Sequence, residues 1–165
     1  MKPVVFFITG TSGSGKSTLV RFLKRELSSA EIHDFDEGGV PKGADESWRK
    51  QRTNEWLKKA KIYLQKGKLV VICGVSVPEE IENSPAYSKK MNVYYGYLHI
   101  GEEEIRKRLK ARNWGEKLVK DNIKWARYLK KQVRMQKNHL MVNANLNNPA
   151  QVAQKFIDWI LSSYS

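Results

Sequence analysis

The sequence feature that most constrains the fold is the stretch GTSGSGKS at residues 10–17, which fits the pattern G-x-x-x-x-G-K-S. It directly follows the apolar run Val4–Thr9, and apolar residues at helical spacing come after it. Glycines let such a loop curl so that its backbone N–H groups point at phosphate oxygens, and the following helix adds the positive end of its dipole. The pattern therefore predicts a buried strand, a phosphate-binding loop and a helix, in that order.

Each part of this loop has an expected role toward a nucleotide. Lys16 should reach the terminal phosphates, and the Ser17 hydroxyl should be a ligand of Mg²⁺. We therefore expect ATP and Mg²⁺ as cofactors, with ATP taken over GTP because it is the commoner nucleotide. The predicted nucleotide-binding residues of the loop are Gly10, Thr11, Ser12, Gly13, Ser14, Gly15, Lys16, Ser17 and Thr18.

Apolar runs alternate with amphipathic segments along the rest of the chain. After the first strand, four more are expected at Glu31–Asp34, Leu69–Cys73, Asn92–Ile100 and Leu140–Asn143. Helices are expected over about 19–27, 45–66, 102–112 and 116–137, and from Pro149 onward. This order predicts a single α/β domain over residues 1–165, with helices on both faces of a mainly parallel five-stranded sheet. Ligands of such sheets bind at the carboxyl ends of the strands.

The balance of charged residues narrows the range of partners. The chain has 30 Lys and Arg against 17 Asp and Glu, a formal net charge of +13, which indicates anionic partners such as nucleotides, phosphorylated metabolites or nucleic acid. A solubilising lysine-rich surface is the alternative explanation. No apolar run approaches the roughly 20 residues of a membrane-spanning helix, and the single cysteine cannot form an internal disulfide. We therefore expect a cytoplasmic protein without a membrane partner.

Two carboxylates follow the second expected strand. With extended backbone between them, the side chains of Asp34 and Asp36 would point to the same side. One could then hold the water shell of Mg²⁺, while the other orients or deprotonates an acceptor hydroxyl. The third strand, in contrast, ends in Cys73 and Gly74 without the carboxylate that motor and switch NTPases usually place there. The alternative for the aspartates is a polar turn in which Asp34 caps the bend at residues 37–39.

With these motifs the chain resembles the small P-loop kinases, which include shikimate, gluconate, nucleoside and nucleotide kinases and antibiotic phosphotransferases. The resemblance rests on Gly10–Ser17, Asp34-x-Asp36, Gly74 after a strand without an acid, and Arg108-Leu-Lys-Ala-Arg112. It covers nearly the whole chain and implies a P-loop NTPase fold with a small helical lid over about 106–120. By this resemblance Asp34 lies on the metal side and Asp36 is the candidate base. One departure is Gly74-Val-Ser76, where shikimate kinase has three glycines.

The resemblance also implies roles for three arginines. Arg108 and Arg112 lie one helical turn apart, in the segment where these kinases carry a lid whose arginines meet the transferring phosphoryl group. The alternative is that they pair with Glu104 or face solvent. Arg127 is expected to point inward to the ATP phosphates, as arginines after the lid do in this family.

The acceptor is expected between Asp36, the helix from Asp45 and the loop after Cys73. Arg49 and Arg52, one turn apart, could bind an acidic or phosphorylated acceptor. Trp48 could stack on a ring or pack in the core. Gly74 begins a loop that could offer backbone N–H groups to the acceptor.

The expected function is transfer of the γ-phosphate of Mg-ATP to a hydroxyl of a small molecule. A regulatory nucleotide-binding protein that transfers nothing is one alternative. A nucleic-acid-end kinase is the other, because basic residues at helical spacing could contact a phosphate backbone instead of forming a solvated face. This basic stripe consists of Lys117, Lys120, Lys124, Arg127, Lys131 and Arg134.

Overall fold

A computed structural model describes residues 3–165 of the chain. The strands are β1 (Val4–Thr9), β2 (Glu31–Asp34), β3 (Val70–Cys73), β4 (Asn92–His99) and β5 (His139–Asn143). The helices are α1 (Lys16–Glu26), α2 (Glu46–Gln65), α3 (Pro78–Glu82), α4 (Glu102–Ala111), α5 (Glu116–Arg134) and α6 (Pro149–Tyr164). Among these described residues no helix is both long and apolar enough to cross a bilayer.

All five strands run parallel in the order β2-β3-β1-β4-β5. Strand β1 occupies the centre because every one of its residues is buried, as expected for a strand covered on both faces. It pairs with β3 from Val5↔Val70 and with β4 from Val4↔Asn92. The carboxyl ends of the strands therefore lie along one edge of the sheet, which is where the loops that carry the predicted motifs begin.

Alternate residues of β1 enter two different cores. Val4, Phe6 and Ile8 pack with α1 and α6, for instance against Leu23 and Phe156. Val5 and Phe7 face the other side and pack with α2 and α5, in a core that contains Trp56, Leu57 and Leu129. A third cluster joins α4 to α5 through Ile105, Leu109, Val119, Ile123 and Ala126. The predicted three-layer α/β/α fold with a parallel five-stranded sheet is confirmed.

The structure differs from the sequence prediction in two local features. The short helix α3 was not expected; Pro78 occupies its first turn and Ile81 is buried on the sheet. On α5, the helical spacing groups Leu118 with Trp125, Leu129 and Val133 as residues able to pack, but Leu118 is 56% exposed, whereas its neighbour Val119 is buried. The first part of the apolar face of α5 is set by contacts with α4, which the spacing of residues within α5 alone does not reveal.

Two leucines near the junction of α4 and α5 give a matched test of this packing. Leu109 has no exposed surface, so Leu109→Ala should lower the free energy of unfolding by about 2–5 kcal/mol. Leu118 is exposed, so Leu118→Ala should lower the free energy of unfolding by about 0.5 kcal/mol or less. Urea unfolding followed by circular dichroism measures both, and equal losses would contradict the assignment of the buried face.

Candidate active site

The phosphate loop leaves β1 and curls back before α1 begins at Lys16. Gly13 and Gly15 have φ of 80° and 99°, the left-handed region in which a side chain is strained. A Cβ added at Gly10 would lie 2.6 Å from the Ser14 hydroxyl oxygen and 3.1 Å from the Leu98 carbonyl oxygen. Gly15 is the N-cap residue of α1 and has no side chain to cap the first N–H groups, which leaves them for phosphate oxygens.

Lys16 folds back onto its own loop. Its Nζ donates to the Thr11 carbonyl at 2.7 Å and to the Ser14 hydroxyl at 3.4 Å. Burial lowers the pKa of Lys16 to about 8; the charges of Asp36 and Asp34 oppose this shift. The two aspartates are therefore near enough to Lys16 to favour its charged form.

The aspartates lie on a turn, and the expectation of extended backbone between them is wrong. The Asp36 N–H donates to Asp34 Oδ1 at 2.9 Å, and the Glu37 N–H donates to the Asp34 carbonyl at 3.0 Å. This turn matches the alternative of Asp34 as a turn-forming residue, yet it still brings both carboxylates near Lys16. Burial, together with the charge of Asp34, raises the pKa of Asp36, while Lys16 and Arg52 act in the opposite direction.

The donor set at this edge suits Mg²⁺ held together with nucleotide phosphates. Within residues 3–165 no group of three or more His, Cys, Asp or Glu side chains could hold a metal ion by itself. Mg²⁺ usually keeps several waters and takes one or two carboxylates plus substrate phosphates. The exposed Ser17 hydroxyl and the carboxylate of Asp34 fit that pattern.

Arg108 contacts the phosphate loop directly. Its Nη1 donates to the Gly13 carbonyl at 2.8 Å, and its Nε donates to Glu104 Oε1 at 2.8 Å. The alternative that Arg108 pairs with Glu104 is therefore observed, and the same guanidinium also contacts the backbone of the phosphate loop. Its role toward a transferring phosphoryl group stays a prediction. Arg112, at the C-terminal end of α4, is exposed and close enough to lower the pKa of Lys16 slightly.

Arg127 is engaged elsewhere. Its guanidinium forms a bidentate pair with Glu102, at 2.6 and 2.8 Å, and its side chain is 65% exposed. The expected contact of Arg127 with ATP phosphates is therefore not present in this arrangement. Lys117 of the same basic stripe pairs with Asp121 at 3.4 Å. Two of the six cations of the stripe thus have carboxylate partners on the protein.

Arg52 holds the turn that carries Asp36. Its Nε donates to the Phe35 carbonyl at 3.1 Å, and a second nitrogen donates to the Glu37 carbonyl. The indole N–H of Trp56 also donates to the Phe35 carbonyl, at 2.9 Å. Trp48 packs edge to face against Phe35, with ring centroids 6.3 Å apart. Arg52 and Trp48, which were expected to contact the acceptor, thus both support the aspartate turn.

Arg49 is paired with Glu80 of α3 through two hydrogen bonds of 2.8 and 2.6 Å. Its guanidinium carbon also lies 4.8 Å from the ring centroid of Trp125 in α5. Arg49 was predicted to bind the acceptor. Its guanidinium is instead occupied by Glu80, whose two carboxylate oxygens accept hydrogen bonds from it. The sequence did not reveal Glu80 as its partner, because the two residues lie on different helices.

Gly74 has a packing role that no sequence motif indicated. A Cβ added to Gly74 would lie 2.1 Å from the Cβ of Phe35. The Phe35 N–H donates to the Cys73 carbonyl at 2.7 Å, and the Gly74 N–H donates to the Ile8 carbonyl at 3.0 Å. The aspartate turn therefore lies directly on the backbone of Gly74, and the N–H of Gly74 is already used by the sheet.

A cavity of about 220 Å³ opens beside the phosphate loop. It is bounded by the loop and Arg108 on one side and by the connection from β5 to α6 on the other, including Asn147 and Pro149. No motif in the sequence marks that connection. It too follows the carboxyl end of a parallel strand, so the rule for ligand sites in such sheets was the signal that could have found it.

Comparison with known proteins agrees with this fold. The model of a family described as an AAA domain matches residues 7–130. A sugar kinase from Janibacter sp. HTCC2649 is 14% identical, with 98% of this chain and 97% of that chain covered and a TM-score of 0.67. A gluconokinase from Sinorhizobium meliloti 1021 is 15% identical, with 99% of this chain and 94% of that chain covered and a TM-score of 0.68. Shikimate kinase from Aquifex aeolicus vf5 is 19% identical, with 96% of this chain and 97% of that chain covered and a TM-score of 0.64.

These neighbours are all small P-loop kinases, so the resemblance predicted from the motifs is confirmed at the level of the fold. At such identities the likeness shows the fold alone. No curated protein matches the chain.

Gly74→Ala tests the contact between the third strand and the aspartate turn. Overpacking against Phe35 should lower the free energy of unfolding by about 1–3 kcal/mol, measured without any ligand by urea unfolding. An unchanged unfolding midpoint would contradict the packing role.

The lowered pKa of Lys16 predicts a pH dependence of nucleotide binding. Lys16 is protonated below about pH 8 and loses its charge above it, whereas bound phosphates favour the charged form. The affinity for ATP should therefore fall between pH 7.5 and 9.5, by up to about tenfold per pH unit once Lys16 is neutral. Isothermal titration calorimetry measures this fall.

Lys16→Arg is the control, because a guanidinium keeps its charge throughout this range. The variant should show no comparable fall in affinity, whatever its absolute value. An equal pH dependence in both proteins would show that another group is responsible.

Proposed function

Since the chain belongs to the AAA domain family and has the fold of the small P-loop kinases, we propose that it is a kinase. It would transfer the γ-phosphate of Mg-ATP to a hydroxyl of a small-molecule acceptor. The observation that carries this proposal is the position of the turn with Asp34 and Asp36, which packs on Gly74 beside the end of β1, where the phosphate loop begins. Both carboxylates are near enough to oppose the lowering of the Lys16 pKa by burial. A protein that only binds or hydrolyses the nucleotide has less need of the second carboxylate.

The nucleotide would lie along the loop of residues 10–18. Backbone N–H groups and Lys16 would hold its phosphates, after Lys16 exchanges the Thr11 carbonyl for phosphate oxygens. The adenine ring of the nucleotide would enter the cavity between Arg108 and Pro149. Bound Mg²⁺, held by Ser17 and Asp34, would offset the negative charge of the phosphate oxygens.

The transfer step uses Asp36 as the base. Its carboxylate takes the proton of the acceptor hydroxyl while the acceptor oxygen bonds to the γ-phosphorus, and the bond from the γ-phosphorus to its bridging oxygen breaks to release ADP. Arg52 is a positioning residue, because it holds the carbonyls on both sides of Asp36. Arg108 and Arg112 would stabilise the charge on the transferring group from the lid over about 106–120.

Asp36→Asn tests the base assignment. Without a carboxylate to accept the proton, kcat for phosphoryl transfer should fall about 10²–10⁴-fold, while ATP affinity stays within about threefold. Because burial raises the pKa of Asp36, wild-type kcat should also decline at low pH as that carboxylate becomes protonated. Enzyme-coupled detection of ADP release measures both effects.

Asp121→Asn is the matched control, since it removes the same charge from α5 at a site paired with Lys117. It should keep wild-type kcat. Near-normal transfer by Asp36→Asn would sink the base assignment.

The acceptor itself is found by a transfer screen with Mg-ATP against sugars, sugar acids, shikimate, nucleosides, nucleotides, aminoglycosides and oligonucleotide ends. Phosphorylation of a small molecule is the expected result. Transfer only to oligonucleotide ends would favour the nucleic-acid alternative and give the basic stripe on α5 a substrate role. Binding of ATP without transfer to any acceptor would favour a regulatory protein.

A further inference from the structure

The ion pair between Arg49 and Glu80 ties α2 to α3 at the carboxyl edge of the sheet. The two hydrogen bonds measure 2.8 and 2.6 Å, so the fork of the guanidinium matches both carboxylate oxygens. Both side chains are largely shielded from solvent, at 19% exposure for Arg49 and 9% for Glu80. This pair is therefore a formed and mostly desolvated carboxylate site, already filled by a carboxylate of the chain.

The surroundings hold this arginine in place. One face of its guanidinium lies over Trp125, whose ring stacks on Tyr128 with centroids 5.3 Å apart. A cavity of about 360 Å³ opens beside Glu80. Its lining combines three carboxylates with one lysine and four uncharged residues: Glu46, Lys50, Glu79, Glu80, Asn83, Ser84, Pro85 and Tyr128.

The position of the pair connects it to the proposed acceptor pocket. Arg49 lies one helical turn before Arg52, which grips the turn around Asp36. Glu80 lies on α3, which begins shortly after the end of β3. The pair therefore lies one turn of α2 away from the arginine that holds the aspartate turn.

We propose that Glu80 determines substrate specificity by occupying the carboxylate site of Arg49, so that the pocket selects acceptors without a carboxylate or phosphate group. This inference rests on the proposed kinase function. An anionic acceptor would have to displace a carboxylate that is tethered to the same protein and therefore present at high effective concentration. It would also leave Glu80 unpaired in a desolvated position.

A second physical effect acts in the same direction. Glu79 and Glu46 line the cavity together with Glu80, and only Lys50 opposes them on its wall, in a pair with Glu46 at 2.5 Å. Glu80 and Glu46 are each paired with a cation, so Glu79 is the carboxylate of this lining that repels an incoming anion. In a chain of net charge +13 this pocket is thus unsuited to acids. Arg49, expected from the sequence to bind an acidic acceptor, instead has an internal partner.

The test measures binding in the absence of ATP, with gluconate as the acidic probe and sorbitol as its uncharged counterpart. Glu80→Gln keeps the size of the side chain and one oxygen that accepts a hydrogen bond from Arg49. It removes the negative charge that neutralises the Arg49 guanidinium. This variant should bind gluconate at least about tenfold more tightly than the wild type, while the affinity for sorbitol is unchanged. Calorimetry at constant ionic strength gives both affinities.

Two control variants locate the effect. Glu79→Gln removes an equal charge from the same cavity and leaves Arg49 paired with Glu80. Its affinity for gluconate should therefore rise less than about threefold. The double variant Arg49→Gln/Glu80→Gln should lose the gain in gluconate affinity. No gain in Glu80→Gln, or an equal gain in Glu79→Gln or the double variant, would overturn the proposal.

If Glu80→Gln does not fold, the wild type decides. A preference for sorbitol over gluconate supports the proposal, and an equal or stronger affinity for gluconate overturns it. Because no step of this test involves phosphoryl transfer, its result is separate from the transfer screen. An absence of transfer to every acceptor would reject the kinase, whereas these binding experiments judge Glu80.

Discussion

Parallel pairing of β1 with β3 on one side and β4 on the other is the constraint on which the rest of the site depends. Because all the strands point the same way, the loops that leave their carboxyl ends meet at one edge. The phosphate loop, the aspartate turn and the loop from Gly74 are brought together there, although they lie far apart in the sequence. Burial of β1 on both faces holds this edge in position.

The same burial sets the electrostatics of the site. Lys16 is desolvated, which disfavours its charged form, and the nearby Asp34 and Asp36 partly restore that charge. Burial raises the pKa of Asp36, and the charge of Asp34 adds to this effect. The protonation of Lys16 and of Asp36 is thus set by burial and by neighbouring charges before any phosphate is bound.

The arginines near the site fall into two groups, those that contact its backbone and those paired with a carboxylate of the chain. Arg108 lies against the phosphate loop, and Arg52 braces the turn beside it, so their charges serve the site directly or through the backbone. Arg49 and Arg127 are each held by a bidentate carboxylate of the chain. A guanidinium with an internal partner is not free to take a ligand. The large positive net charge therefore overstates what the molecule offers to anions.

The sequence by itself determined the phosphate loop, the five strands and the alternation that makes the sheet parallel, because glycine spacing and apolar periodicity are local properties of the chain. It also predicted that the phosphate loop and the turn with Asp34 and Asp36 lie at the same edge of the sheet, because each follows the end of a parallel strand. Only the tertiary structure decided which partners the arginines take, that Phe35 packs on Gly74, and that Leu118 faces solvent. These outcomes depend on contacts between elements distant in sequence, whose geometry no local pattern encodes.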